Sequence, residues 1–190
     1  MRVAYADPPY LGCCALYGHE HGEDGLCWDD IGTHWLLKER LRDEFPDGWA
    51  LSASSPSLAA ILSRHDWEGV RISAWVKPFA VFKPNVNPAY AWEPVIWYGG
   101  RKKRARDEPT VRDWVSAEIT LQKGLTGAKP EAFCWWLIAL MGLRVGDELV
   151  DVFPGTGVIG RVWEQYQRQR GLFTAPALGV DGGSSGDTHA

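Results

Sequence analysis

The sequence predicts an α/β fold: a doubly wound, mostly parallel sheet with one antiparallel strand added to it. Three observations lead there. Short apolar runs alternate with segments of helical spacing; two runs are joined by a prolyl loop with no room for a crossover helix; and the last run ends in a glycine-rich turn that opens a helix. With 190 residues the chain suits a single domain over 1–181 and a flexible Gly/Ser tail over 182–190. A domain of this size buries roughly 70% of its unfolded surface. A hydrophobic content of 45% and a net charge of −4 are those of an ordinary globular protein; they argue against a polycationic nucleic-acid coat while allowing a local basic patch.

The first run, Val3 to Ala6, reads as a buried strand that stops at Asp7-Pro8-Pro9-Tyr10. The two prolines lack backbone donors and stiffen the exit into an extended turn. That turn sets a carboxylate and a phenol ring at the C-terminal edge of a sheet, where open α/β folds bind ligands. A rigid acceptor beside a flat ring suits a planar group with an exocyclic amine. Asp7 and the Pro8 carbonyl accept the amine hydrogens, and the ring stacks on Tyr10. The loop that follows holds Cys13, Cys14, His19, His21 and Cys27. These are zinc-ligand types at a spacing that matches no common zinc signature, so the loop reads as a cover that closes over substrate, and no metal is expected.

Asp29 or Asp30 caps a helix through Trp35, Leu36, Leu37, Leu41 and Phe45. Gly48 to Ser55 reads as a second strand, and Ser55-Pro56-Ser57 opens a helix with Leu58, Ile61 and Leu62 on one face. Val70 to Val76 and Glu93 to Tyr98 are the antiparallel pair, joined across Lys83 to Pro88. The dense basic run Arg101, Lys102, Lys103, Arg104 and Arg106 lies in a loop and suits phosphate contacts that carry no sequence information. Pro130 to Met141 has a helical stripe of Phe133, Trp136, Leu137, Leu140 and Met141, with Trp135 and Trp136 read as core packing. The run Leu149 to Phe153 then feeds Pro154-Gly155-Thr156-Gly157 and a helix. Glycines there let the backbone approach a nucleotide-like cofactor, and the helix start presents free N–H groups.

Asp7-Pro8-Pro9-Tyr10 resembles the catalytic motif of the amino-methyltransferases that modify adenine N6 or cytosine N4 in DNA. Asp151-x-Phe153-x-Gly155-x-Gly157, preceded by Lys129-Pro130-Glu131, resembles their S-adenosylmethionine motif. Trp75-Val76-Lys77-Pro78 and Glu93-Pro94-Val95 look like the hairpin between the two. The catalytic motif comes first, as in the β class, and the likeness spans about residues 3 to 164, departing at Pro154 where a small residue is common. The resemblance implies a Rossmann-like methyltransferase sheet in circularly permuted motif order. It implies methyl transfer from S-adenosylmethionine to adenine N6 in a base flipped out of double-stranded DNA. Asp7, Pro8, Pro9 and Tyr10 would then be catalytic. Asp151, Phe153, Gly155 and Gly157 would hold the cofactor, with Lys129 near its carboxylate and Asp181, on a last strand from Ala177, at its ribose.

Cytosine N4, RNA adenine and a catalytically silent, nucleic-acid-binding subunit are the rival readings. Asp rather than Ser in the first motif favours adenine, Tyr rather than Trp favours DNA, and intact acid and glycines favour an enzyme. The stretch after the second motif leaves a minimal domain, to be completed by a homodimer, a partner subunit or DNA. Unevenly placed cysteines read as reduced thiols. With neither an apolar leader nor a membrane-spanning run, they predict the cytoplasm of a bacterial or phage-infected cell.

Overall fold

A computed structural model of the chain describes residues 1–14, 26–79, 84–102, 106, 110–119 and 128–174. Its strands are β1 (Arg2–Ala6), β2 (Gly48–Ser52), β3 (Arg71–Val76), β4 (Trp92–Gly99), β5 (Trp114–Ser116) and β6 (Glu148–Asp151). Its helices are α1 (Ile31–Glu44), α2 (Leu58–Ile61), α3 (Glu131–Met141) and α4 (Val158–Thr174). The six strands form one sheet in the order β5-β3-β4-β2-β1-β6. β4 runs antiparallel to both of its neighbours, and every other pairing is parallel. The mostly parallel sheet and its antiparallel hairpin are therefore as the apolar runs and the prolyl loop predict.

β1 is apolar without alternation because both of its faces are covered. Val3 and Tyr5 join Trp75, Val95 and Trp97 beneath α3 and α4, whereas Ala4 and Ala6 join Trp49, Leu51 and Ile96 beneath α1 and α2. α3 ends where Gly142 takes a left-handed conformation (φ 65°), a geometry that glycine adopts without strain. Trp136 packs into the core as predicted, its indole N–H donating to the Arg112 carbonyl at 2.9 Å.

Two elements depart from the sequence reading. α1 is capped by Asp30, whose side chain accepts from the Gly32 N–H, but its inward face is Thr33, His34, Leu37, Lys38 and Leu41. Leu36, expected inside, is 62% exposed. Polar partners make this possible, because a buried donor costs little once it is paired. His34 Nε2 lies 2.9 Å from the Trp28 carbonyl oxygen, and Lys38 donates to Asp66 at 2.6 Å. β5 was not foreseen; it pairs parallel with β3 and widens the sheet. The proposed last strand, with Asp181, lies outside the described residues. Among the described residues no helix is long and apolar enough to cross a membrane.

Candidate active site

Sheet polarity assembles the site. β1, β2, β3 and β6 end at one edge, and antiparallel β4 begins there, as the pairs Tyr5–Asp151, Ser52–Val95 and Trp75–Glu93 record. Side chains from the ends of four strands and from the start of α3 meet at this edge. Lys129, 5% exposed at the foot of α3, lies 2.8 Å from both carboxylate oxygens of Asp7. It also donates to the Tyr10 phenol oxygen at 3.0 Å. The phenol in turn reaches Glu93 Oε2 at 2.7 Å and Asp7 Oδ1 at 3.1 Å. Lys77, at the end of β3, donates to Glu93 Oε1 at 3.0 Å. Aromatic walls surround the cluster: the Lys129 ammonium is 5.4 Å from the Tyr10 ring centre and 5.5 Å from that of Trp75.

The arrangement adds Lys77 and Glu93 to the residues expected from the sequence, and it places Lys129 directly on Asp7. A signal for the pair existed. An antiparallel hairpin puts the residue leaving β3 beside the residue entering β4, both at the ligand edge.

Charge balance at the cluster is tight. Burial raises the Asp7 carboxyl above its ordinary value, with Lys129 pulling it down and Glu93 adding to the rise. For Glu93, burial also pushes upward, but Lys129, Lys77 and the Tyr10 hydroxyl outweigh it and hold the carboxyl below its usual range. The Tyr10 phenol is pushed well up by burial and by the two acids, so it stays a neutral donor at physiological pH.

Asp151, at the end of β6, makes no ion pair among the described residues; burial, then nearby Asp7, lifts its carboxyl to about 6, against the Phe153 N–H it accepts at 3.3 Å. A carboxyl raised in the folded state favours folding when protonated. This contribution is thus present in acid and is lost as pH rises through about 6. Asp151→Asn, whose amide oxygen still accepts from Phe153, is expected to be more stable than the parent at pH 7.5 by on the order of 2 kcal/mol. Thermal unfolding should show that gain vanishing below about pH 4.

The turn after β6 lies beside the Asp7 turn because β1 and β6 are paired neighbours, and the Val152 N–H bonds the Tyr5 carbonyl at 2.9 Å. Gly155 (φ 47°) and Gly157 (φ 68°) both adopt left-handed backbone, and α4 starts at the next residue. A Cβ at Gly155 would meet only the Phe153 carbonyl oxygen, at 3.7 Å, so space beside the turn is open. Phe153 itself packs edge-on against buried Trp28 at 5.2 Å. The residue after Trp28, Asp29, accepts from the Gly12 N–H at 2.8 Å and ties the exit of the Asp7–Tyr10 turn to the same wall.

The described residues of the basic run, Arg101, Lys102 and Arg106, fall elsewhere. Because β4 runs against its neighbours, Gly99 pairs with Gly48 and the chain leaves at the opposite edge, about 13 Å of strand away from Asp7. Arg101 is held there by Asp147 at 2.8 Å, which also takes the Met1 ammonium at 2.6 Å. That pair gives Arg101 a structural role at this edge. Lys102 and Arg106 are exposed, and with Arg71 they line a far-edge cleft of about 940 Å³. Lys103 and Arg104 lie outside the described residues, as do His19 and His21. Arg101→Ala is expected to lower stability by about 2–3 kcal/mol, since it leaves Asp147 underpaired, whereas Lys102→Ala should stay within about 0.5 kcal/mol. Urea unfolding of the two variants checks the contrast. Among the described residues no three His, Cys, Asp or Glu side chains gather as a metal site.

Neither a protein-family model nor a curated protein matches the chain. Solved structures do. A crystal structure described as the M1.HpyAVI–SAM complex matches with a TM-score of 0.52 over 87% of this chain and 78% of that one, at 16% identity. The fold is shared. A second structure, described as M1.HpyAVI, has a TM-score of 0.49 at 15% identity, over 87% and 76% of the two chains. The mixed α/β sheet with its antiparallel hairpin is thus an arrangement shared with that SAM-complex structure.

Proposed function

We propose that the chain is a methyltransferase that moves a methyl group from S-adenosylmethionine to the exocyclic N6 of adenine in DNA. One observation carries the reading. A rigid acid–proline–proline–tyrosine turn and an acid–glycine turn leave adjacent parallel strands at the same sheet edge, so an amine and a cofactor methyl would meet between them. The similar fold crystallised as a SAM complex supports the cofactor. The donor set agrees with it: left-handed glycines beside open space, the N-terminus of a long helix, and Asp151 at the end of the strand that feeds them.

Bound S-adenosylmethionine supplies an electrophilic sulfonium methyl. The chain's own residues then act by positioning. Asp7 and the Pro8 carbonyl accept the two amine hydrogens and turn the nitrogen lone pair toward the methyl. Ionised Asp7 has about four lone-pair directions. Lys129 occupies two of them, the single Tyr10 hydroxyl hydrogen is shared between Asp7 and Glu93, and a remaining direction takes the amine. The base must leave the duplex stack to reach this edge. For contacts with the strand, the β3–β4 tip is better placed than the basic run, since it carries exposed Phe79, Tyr90 and Trp92 at the Asp7 edge.

The test is nucleoside mass spectrometry of unmethylated duplex DNA after incubation with the protein and S-adenosylmethionine. N6-methyladenine is expected. N4-methylcytosine would correct the base and keep the chemistry. No methylated nucleoside in DNA or RNA, with the cofactor bound, would overturn the reading.

A further inference from the structure

Glu93 lies outside both the catalytic and the cofactor motif, yet it is the most connected acid of the site. It lies at the start of β4 on the catalytic edge, 17% exposed, with one oxygen held by Lys77 at 3.0 Å and the other facing the Tyr10 hydroxyl at 2.7 Å and Lys129 at 3.5 Å. The Tyr10 hydroxyl has a single hydrogen and two acids to give it to. Lys129 already donates to its oxygen, so the phenol must act as a donor toward one of them. Glu93 is nearer than Asp7, 2.7 Å against 3.1 Å, and the shorter bond to a carboxylate is the stronger.

We propose that Glu93 is a positioning residue: it draws the Tyr10 hydroxyl hydrogen away from Asp7, which keeps an Asp7 oxygen open for the substrate amine and fixes the ring face on which the base stacks. Without Glu93 the hydroxyl turns to Asp7 Oδ1 and competes with the amine for it. The ring also loses its outer tether, and Lys77 and Lys129 are left with Asp7 as their remaining anion in the cluster. Lys77 acts one step further out, since its ammonium holds the Glu93 carboxylate in place and, after Lys129, helps to keep it ionised. The inference rests on the methyl-transfer reading above and adds to it a residue that sets how the amine is accepted.

A double-mutant cycle tests it, with cofactor affinity measured alongside by calorimetry. Glu93→Ala should lower single-turnover methyl transfer about 100-fold, the scale of a misplaced reacting group, with cofactor affinity unchanged. Glu93→Gln, which still offers an amide oxygen to the phenol, should recover about tenfold of that loss. In a Tyr10→Phe background there is no competing hydroxyl, so Glu93→Ala should cost about threefold or less. Losses that multiply in the cycle would overturn the proposal, because a merely structural acid is indifferent to the Tyr10 hydroxyl. A second readout needs no activity. The ¹³Cζ resonance of Tyr10, assigned by its absence in Tyr10→Phe, should move in Glu93→Gln; an unmoved resonance also overturns the proposal. A parent chain that methylates nothing would defeat the functional reading alone, and the resonance would still decide the tether.

Discussion

Asp7→Ala is expected to lower methyl transfer at least about 100-fold while leaving cofactor affinity within about threefold. The two effects separate because Asp7 and the glycine turn sit on neighbouring strands with different contacts. Asp7 meets Lys129 and Tyr10, whereas the turn is built from the backbone of Pro154, Gly155 and Gly157. The variant should also fold. Truncation does not strand the Lys129 ammonium, because Glu93 lies 3.5 Å away and the Tyr10 hydroxyl oxygen 3.0 Å away. Radiolabelled methyl transfer and calorimetry on the same preparation give both numbers. An Asp7→Ala variant that transfers methyl groups at the parent rate would remove Asp7 from the chemistry altogether.

How much of this was legible in the sequence depended on whether the governing interaction was local. The Asp7–Tyr10 turn and the Gly155–Gly157 turn were readable because prolines and glycines dictate their own backbone. Their placement side by side followed from strand polarity, and so did more than was drawn from it. Once β3 and β4 are taken as an antiparallel pair, Lys77 and Glu93 must share the ligand edge with Asp7. The same step sends the chain after Gly99 to the opposite edge, where Arg101 meets Asp147. Other features had no local signal. The inward face of α1 holds His34 and Lys38 only because a carbonyl at Trp28 and a carboxylate at Asp66 arrive from other segments. β5 is too short for periodicity to mark; it is held by the Trp75 and Trp136 indoles, which bond the carbonyls of Ala117 and Arg112. Lys129 is the instructive case, since its position ahead of α3 was evident and its partner was not.

Lys129→Met separates its two candidate duties and should have the larger effect on stability. The ammonium is almost fully buried and is the largest downward pull on the Asp7 carboxyl, which burial raises. Replacing it with an apolar chain of similar length leaves that acid without its cation, at a cost of about 3 kcal/mol near neutrality. The pH dependence has a definite sign. With the pull gone, the folded-state carboxyl rises further above its unfolded value, so the folded variant binds the extra proton. Its stability is then best in acid and falls as pH climbs from about 4 through the raised value. The difference in melting temperature between parent and variant should therefore be large at pH 7.5 and shrink toward pH 4; an equal difference at both would show that the pair with Asp7 is not what Lys129 supplies. Methyl transfer should fall at neutral pH and partly return at alkaline pH, where Asp7 ionises again. Cofactor affinity decides the rest. A loss of affinity alongside the loss of rate would return Lys129 to the cofactor carboxylate, and an unchanged affinity would leave it to Asp7.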